Sequence, residues 1–192
     1  MKINFSKGAW NTDELTYAYT YRFDDTNEFI QNEDSIENAE NPNCPADGYD
    51  YLSIVSREKF GFGTKITTRC SFSGNAAPLI VIPDGLDDCA DGHKRYGNYF
   101  EVVVWKNGIN VWRLWRKENG EVTWHKRLGM EFSVEENKIH TLSVEFKENY
   151  LTVELDGVKT ALRAEDLFPS FHLGLTGCEG PCRFYDMTVE SV

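Results

Sequence analysis

Tyr99-Phe-Glu-Val-Val-Val-Trp105, Lys106-Asn107-Gly108-Ile109, Asn110-Val-Trp-Arg-Leu-Trp-Arg116, Asn119-Gly120 and Val122-Thr-Trp-His-Lys-Arg-Leu128 follow one another in a run of aromatic and β-branched residues. Asn-Gly between strand-like segments favours a two-residue type I′ hairpin, because both central residues must take positive φ. If both turns are that tight, the register follows. Around Asn107-Gly108, Trp105 faces Asn110, Val103 faces Trp112 and Glu101 faces Leu114. Around Asn119-Gly120, Arg116 faces Thr123, Leu114 faces His125 and Trp112 faces Arg127. Opposed residues share a face. One face then holds Phe100, Val102, Val104, Ile109, Val111, Trp115, Trp124 and Leu128, which is a core. The other holds Tyr99, Glu101, Trp105, Asn110, Trp112, Arg116, Thr123, His125 and Arg127, which has the makings of a ligand surface. One pair strains the scheme, since Arg113 and Lys126 fall opposite one another on the apolar face. Either they lie at the sheet margin and snorkel outward, or one turn is longer, and a one-residue slip exchanges the faces.

The rest of the chain extends this β character. Leu15–Phe23, Tyr51–Ser56, Thr64–Phe72, Pro78–Pro83, Thr141–Phe146, Tyr150–Leu155, His172–Thr176 and Arg183–Val189 read as short strands between Gly, Asn, Asp and Pro clusters. Helix signals are confined to a turn or two at Ser35–Glu40 and Arg163–Phe168. Residues 32–48 read as a long surface loop. Ten or more short strands with regular turn signals predict an all-β sandwich or barrel. No linker divides the 192 residues, so residues 1–192 are expected to form a single domain.

Thirty-one acidic residues against 20 basic ones give a net charge of −11. That excludes a nucleic-acid partner of the usual kind, which needs a cationic footprint. No apolar run is long enough to span a membrane. Met1–Gly8 carries no apolar leader segment, so a cytoplasmic location is expected. The odd set Cys44, Cys70, Cys89, Cys178 and Cys182 then reads as reduced thiols. Cys178-Glu-Gly-Pro-Cys182 misses the C-x-x-C spacing by one residue and reads as a tight loop.

Several segments together resemble a known fold family. They are Gly97–Trp105, Ile139-His-Thr-Leu-Ser-Val-Glu-Phe146, Leu151-Thr-Val-Glu-Leu-Asp-Gly157, His172-Leu-Gly-Leu-Thr-Gly177 and Cys182-Arg-Phe-Tyr-Asp-Met-Thr-Val189. In sequence they resemble the concanavalin A-like lectin/glucanase superfamily over roughly residues 64–189. The resemblance implies a jelly-roll β-sandwich of two antiparallel sheets, one convex and one concave. It also implies carbohydrate lying across the concave sheet, which would be the polar-aromatic face of the meander.

Within that frame the expected function is lectin-like carbohydrate binding by Tyr99, Glu101, Trp105, Asn110, Trp112, His125 and Arg127. Indole faces suit the CH face of a pyranose, and planar polar groups suit its hydroxyl rim. Trp and Tyr are also common core residues, and Trp115 and Trp124 fit that plainer role. Glycosidases of this fold place carboxylates on alternate residues of one strand. Here Glu101 is the sole catalytic candidate, followed on its face by Val103 and Trp105. A two-carboxylate mechanism would need a loop acid such as Asp91 or Glu121. A polysaccharide lyase could use Tyr99, His125 and Arg127, and a protein-interaction module is a further alternative. Asp84, Asp87, Asp88 and Asp91 form an acidic loop that could hold a structural calcium ion, although its spacing departs from the known calcium-loop motif. No other cofactor is expected. Nucleotide-binding and nucleophile-elbow motifs are absent, and His140 and His172 read as structural.

Overall fold

A computed structural model describes residues 1–10, 12–45 and 48–192. Two large sheets form a sandwich. The first runs Val158–Arg163, Tyr150–Leu155, His140–Lys147, Thr64–Phe72, Cys182–Ser191, Ile36–Glu37, Ile30–Gln31, with Lys2–Asn4 also paired to Cys182–Ser191. The second runs Val122–Glu131, Gly108–Arg116, Tyr99–Trp105, Leu79–Pro83, Gly174–Gly177, Leu52–Ser56, Leu15–Tyr19, Lys94–Tyr96, Leu86–Asp88. Pairing is antiparallel throughout these sheets except between Lys94–Tyr96 and Leu15–Tyr19. The described helical structure is one 3₁₀ turn, Thr12–Glu14. The jelly-roll sandwich expected from the sequence is therefore present.

Period-2 alternation sorts the side chains. Ile66, Leu142, Val144, Phe146 and Met187 of the first sheet meet Phe100, Val102, Ile109, Val111 and Leu175 of the second in the main core. The second sheet also carries a separate apolar cluster on its outer face, built from Val55, Leu79, Val81, Tyr96, Tyr99 and Leu114 with Tyr51, Cys44 and Cys178. A sheet buried on both faces should show continuous apolar runs, and Leu79-Ile-Val-Ile-Pro83 is buried along its whole length. Ser53, Tyr96 and Thr176 place hydroxyls inside the outer cluster. They satisfy one another, Thr176 Oγ1 donating to Ser53 Oγ at 2.7 Å.

Both hairpins depart from the two-residue Asn-Gly geometry. In the first, Trp105 pairs with Gly108, so Lys106-Asn107 is the loop and Gly108 opens the returning strand with φ +130°. A Cβ at Gly108 would stand 2.0 Å from the Met130 carbonyl oxygen. The pairing moves by two residues, so every side chain keeps its expected face. The second turn is longer. Arg116 pairs with Val122 across Lys117–Glu121, and Trp112 with Lys126; a bulge between Val111 and Trp112 then restores Val111 opposite Leu128. The extra residue of that bulge is Arg127.

The bulge removes the charge clash. Arg113 faces His125 instead of Lys126. Its guanidinium carbon lies 4.8, 4.5 and 4.4 Å from the ring centroids of Phe100, Trp115 and Phe168, with Nη1 donating to the Leu114 carbonyl at 2.9 Å. At 4% exposure it is a packed core group. Replacing Arg113 by Ala should cost about 3 kcal/mol, from the cavity and the lost cation–π contacts. Urea denaturation should show the drop in midpoint, and Arg113→Met should recover most of it because its stem fills the same space.

Three smaller expectations change. Ile36–Glu37 within Ser35–Glu40 is a strand and not a helical turn, and Arg163 ends a strand before a turn at Glu165 and Asp166. The 32–48 segment is no free loop: Ile36 and Asn38 are buried, and Asn38 Nδ2 donates to the Asp50 and Gly180 carbonyls at 2.9 Å each. Ala46 and Asp47 of that segment lie outside the described residues. Val158–Arg163, masked in the sequence by Lys159 and Arg163, adds an edge strand.

Candidate functional site

The outer face of the second sheet is mostly closed by its own apolar cluster, and one cavity interrupts it. Arg22, Tyr51, Asn75, Glu101, Trp105, Asn110, Trp112, Cys178 and Glu179 are among its lining residues, and its volume is about 200 Å³. Glu101, Trp105, Asn110 and Trp112 reach it from two paired strands, because Glu101 opposes Trp112 and Val103 opposes Asn110. Trp105, Asn110 and Trp112 are partly exposed there.

Glu101 forms the floor at 3% exposure. Burial pushes its carboxyl up to about 7, while the Arg22 guanidinium and the Tyr99 hydroxyl draw it down and Glu179 adds to the rise. The acid is thus held near the balance between its neutral and charged forms at neutral pH. It can donate a proton or a hydrogen bond in one form and accept in the other.

The other expected site residues divide. Tyr99 shares the Glu101 face but is fully buried beneath Tyr96 and Trp124, at centroid distances of 4.9 and 5.9 Å. His125 and Arg127 lie away from the face expected for them. The bulge places His125 beside Arg113 on the opposite face, in edge contact with Trp115 at 5.2 Å. Arg127 sits in the bulge and donates to Asp166 at 2.7 Å. Lys126 takes the outer-face position expected for Arg127, opposite Trp112, and Trp124 moves from the core face to the outer cluster.

Asp84, Asp87, Asp88 and Asp91 do not converge. Asp84 accepts from Asn98, Asp87 pairs with Arg116, Asp88 with Lys94, and Asp91 accepts from the Tyr19 hydroxyl at 2.8 Å. Among the described residues no three His, Cys, Asp or Glu side chains form a group able to hold a metal ion. Cys70, Cys89, Cys178 and Cys182 form no disulfide. His140 is held between Asp156 and the Glu135 carbonyl, and His172 by the Ser56 carbonyl at 2.8 Å, so both serve the scaffold.

Sequence reasoning missed Arg22, Lys126 and Glu179. Glu179 lies inside the Cys178–Cys182 motif, whose thiols carry its only recognisable pattern. Its φ of +61° marks a tight turn, which carries it to the cavity wall. Asp91 and Glu121, the loop acids considered as partners for Glu101, are engaged elsewhere, Glu121 with Lys117 at 2.9 Å.

No protein-family profile and no curated protein matches the sequence. Solved structures do match. The carbohydrate-binding module CBM66 from Bacillus subtilis superposes with a TM-score of 0.64 at 14% identity, over 93% of this chain and 96% of that one. A family 16 endo-glucanase from Bacteroides ovatus gives 0.64 at 12% over 99% of both chains. β-Agarase A from Zobellia galactanivorans gives 0.67 at 10% over 100% and 91%. The jelly-roll β-sandwich is shared with these structures. At these identities the likeness is one of architecture, and chemistry must be argued from the cavity itself.

Proposed function

We propose that this chain is a carbohydrate-binding domain whose site is the cavity floored by Glu101. One observation carries the reading: two partly exposed indoles, Trp105 and Trp112, flank Asn110 and a buried carboxylate in a space of about 200 Å³. A sugar ring offers an apolar CH face to an indole and hydroxyls to the polar groups around it. The shared architecture with a carbohydrate-binding module and two glycan-active enzymes supports the same ligand class. A recessed cavity also favours a small ligand over the flat apolar patch a protein-interaction module would present.

A glycan array followed by titration calorimetry tests this. Trp112→Ala should weaken binding by at least about tenfold, the loss of one stacking contact. Its thermal midpoint should stay close to the parent's, because that ring belongs to neither apolar cluster. Failure of every glycan to bind would remove the proposal.

Hydrolysis is the second reading, favoured by Glu179 sharing the cavity with Glu101. Turnover of aryl glycosides, abolished by both Glu101→Gln and Glu179→Gln, would establish it. The lyase arrangement has lost its support, since His125 and Arg127 lie away from the cavity.

A further inference from the structure

The charges around the cavity say more than that a sugar fits. Its floor is the carboxylate of Glu101 and a second carboxylate, Glu179, lines the same space. Among the described residues neither belongs to any ion pair, whereas Glu37, Asp87, Asp88 and Asp166 each hold a cation. Two cations stand nearby without contacting either carboxylate, and Arg22, which lines the cavity, acts on both only through space. The Arg22 guanidinium lies 4.5 Å over the Trp124 ring. Lys126 lies along the strand, its Nζ 2.8 Å from where a Cβ on Gly129 would stand.

A buried carboxylate without a contacting counter-charge is costly, and a ligand cation would relieve it. The walls are suited to the same ligand, because indole faces attract cations. The chain's net charge of −11 concentrates cations around it and repels anions. The volume of about 200 Å³ is below the range of drug-sized pockets and matches one pyranose ring.

We propose that the cavity takes an amino sugar with a free amine. The ring lies on Trp105 or Trp112, and the ammonium donates to Glu101 with Glu179 as second acceptor. The inference rests on the carbohydrate reading above and adds the charge of the sugar. Uronic acids and sulfated sugars carry the wrong sign for two carboxylates, and an N-acetylated amine carries none.

Calorimetry on the full chain at about pH 6 tests it, with methyl glycosides of glucosamine, galactosamine, glucose, N-acetylglucosamine and glucuronic acid, and with butylamine as an ammonium without a ring. At least one amino glycoside should bind about tenfold tighter than its neutral counterpart, the effect of one charge-assisted contact. Because Glu101 titrates at about 7 in the free protein, an ammonium that binds its ionised form must expel a proton. Release of close to one proton per ligand should appear when the titration is repeated in buffers of different ionisation enthalpy. Glu101→Gln should erase both the preference and the proton release.

Equal or tighter binding of the neutral sugar or the uronide overturns the proposal and leaves carbohydrate binding standing. So does binding of the amine without proton release, or butylamine matching the amino glycoside. If no glycoside binds at all, this inference and the carbohydrate reading both fall.

Discussion

At pH 8 the Glu101→Gln variant should be more stable than the parent by about 3 kcal/mol, and at pH 4.5 the two should be nearly equal. The folded carboxyl titrates at about 7 against an ordinary 4.5, with burial as the first cause. The sign follows from linkage. Below 4.5 both folded and unfolded chains carry the neutral acid, so Glu101 costs little. Between 4.5 and 7 the unfolded chain ionises freely while the folded one resists, and stability declines as pH rises. Above 7 the full penalty applies, roughly 1.4 kcal/mol for each unit of displacement. For a domain of this size the gap corresponds to roughly 6–12 °C in thermal midpoint. Melting both proteins from pH 4 to 8 measures it. A constant difference across that range would mean that Glu101 titrates normally and that water reaches the cavity floor. The variant gains stability where the parent has kept an acid, which is the usual trade at a binding site.

Gly174→Ala should be more damaging than any substitution in the cavity. Gly174 lies on the outer face of a central strand, opposite Val55 on one side and Val81 on the other. An added Cβ would stand 2.2 Å from the Ile54 carbonyl oxygen and 2.8 Å from Val55 Cα. Both are backbone atoms in a paired strand, so no side-chain rotation relieves the contact. The sheet must bend or the pairing must break, which places the loss above about 4 kcal/mol. We expect little soluble protein or a midpoint lowered by more than roughly 8 °C. Gly85→Ala is the matched control, since nothing lies within 4 Å of its Cβ position. Should the two variants melt alike, the close approach at Gly174 is not what limits the fold.

Much of the sandwich was legible because period-2 patterning and turn residues act locally. Thr64–Phe72 and Tyr150–Leu155 match the structure residue for residue. Gly108–Arg116 kept its faces even though the hairpin loop moved, since a shift of two residues preserves alternation. The errors arose where non-local pairing decides. Strand Ile36–Glu37 joins the sheet through Arg183 and Phe184, far along the chain, with only Ile30–Gln31 as a local partner, and nothing in its own sequence announces the distant one. Glu101, Trp105, Asn110 and Trp112 were legible as a group because two adjacent strands carry them. Arg22 and Glu179 arrive from loops distant in sequence, and no strand periodicity points to them.

The bulge at Arg127 has a consequence for how such a surface diverges. Substituting Trp124 or Lys126 alters one side chain of the outer face. Deleting Val122, with the bulge absorbed, exchanges the outward set of Trp124 and Lys126 for Thr123, His125 and Arg127, all at once, with Leu128 and Met130 left in place on the inner side. The make-up of this flank is therefore written in a residue count more than in residue identities. Length changes in this strand, rather than point changes, are the steps by which relatives of this chain could acquire a different chemistry beside Trp112.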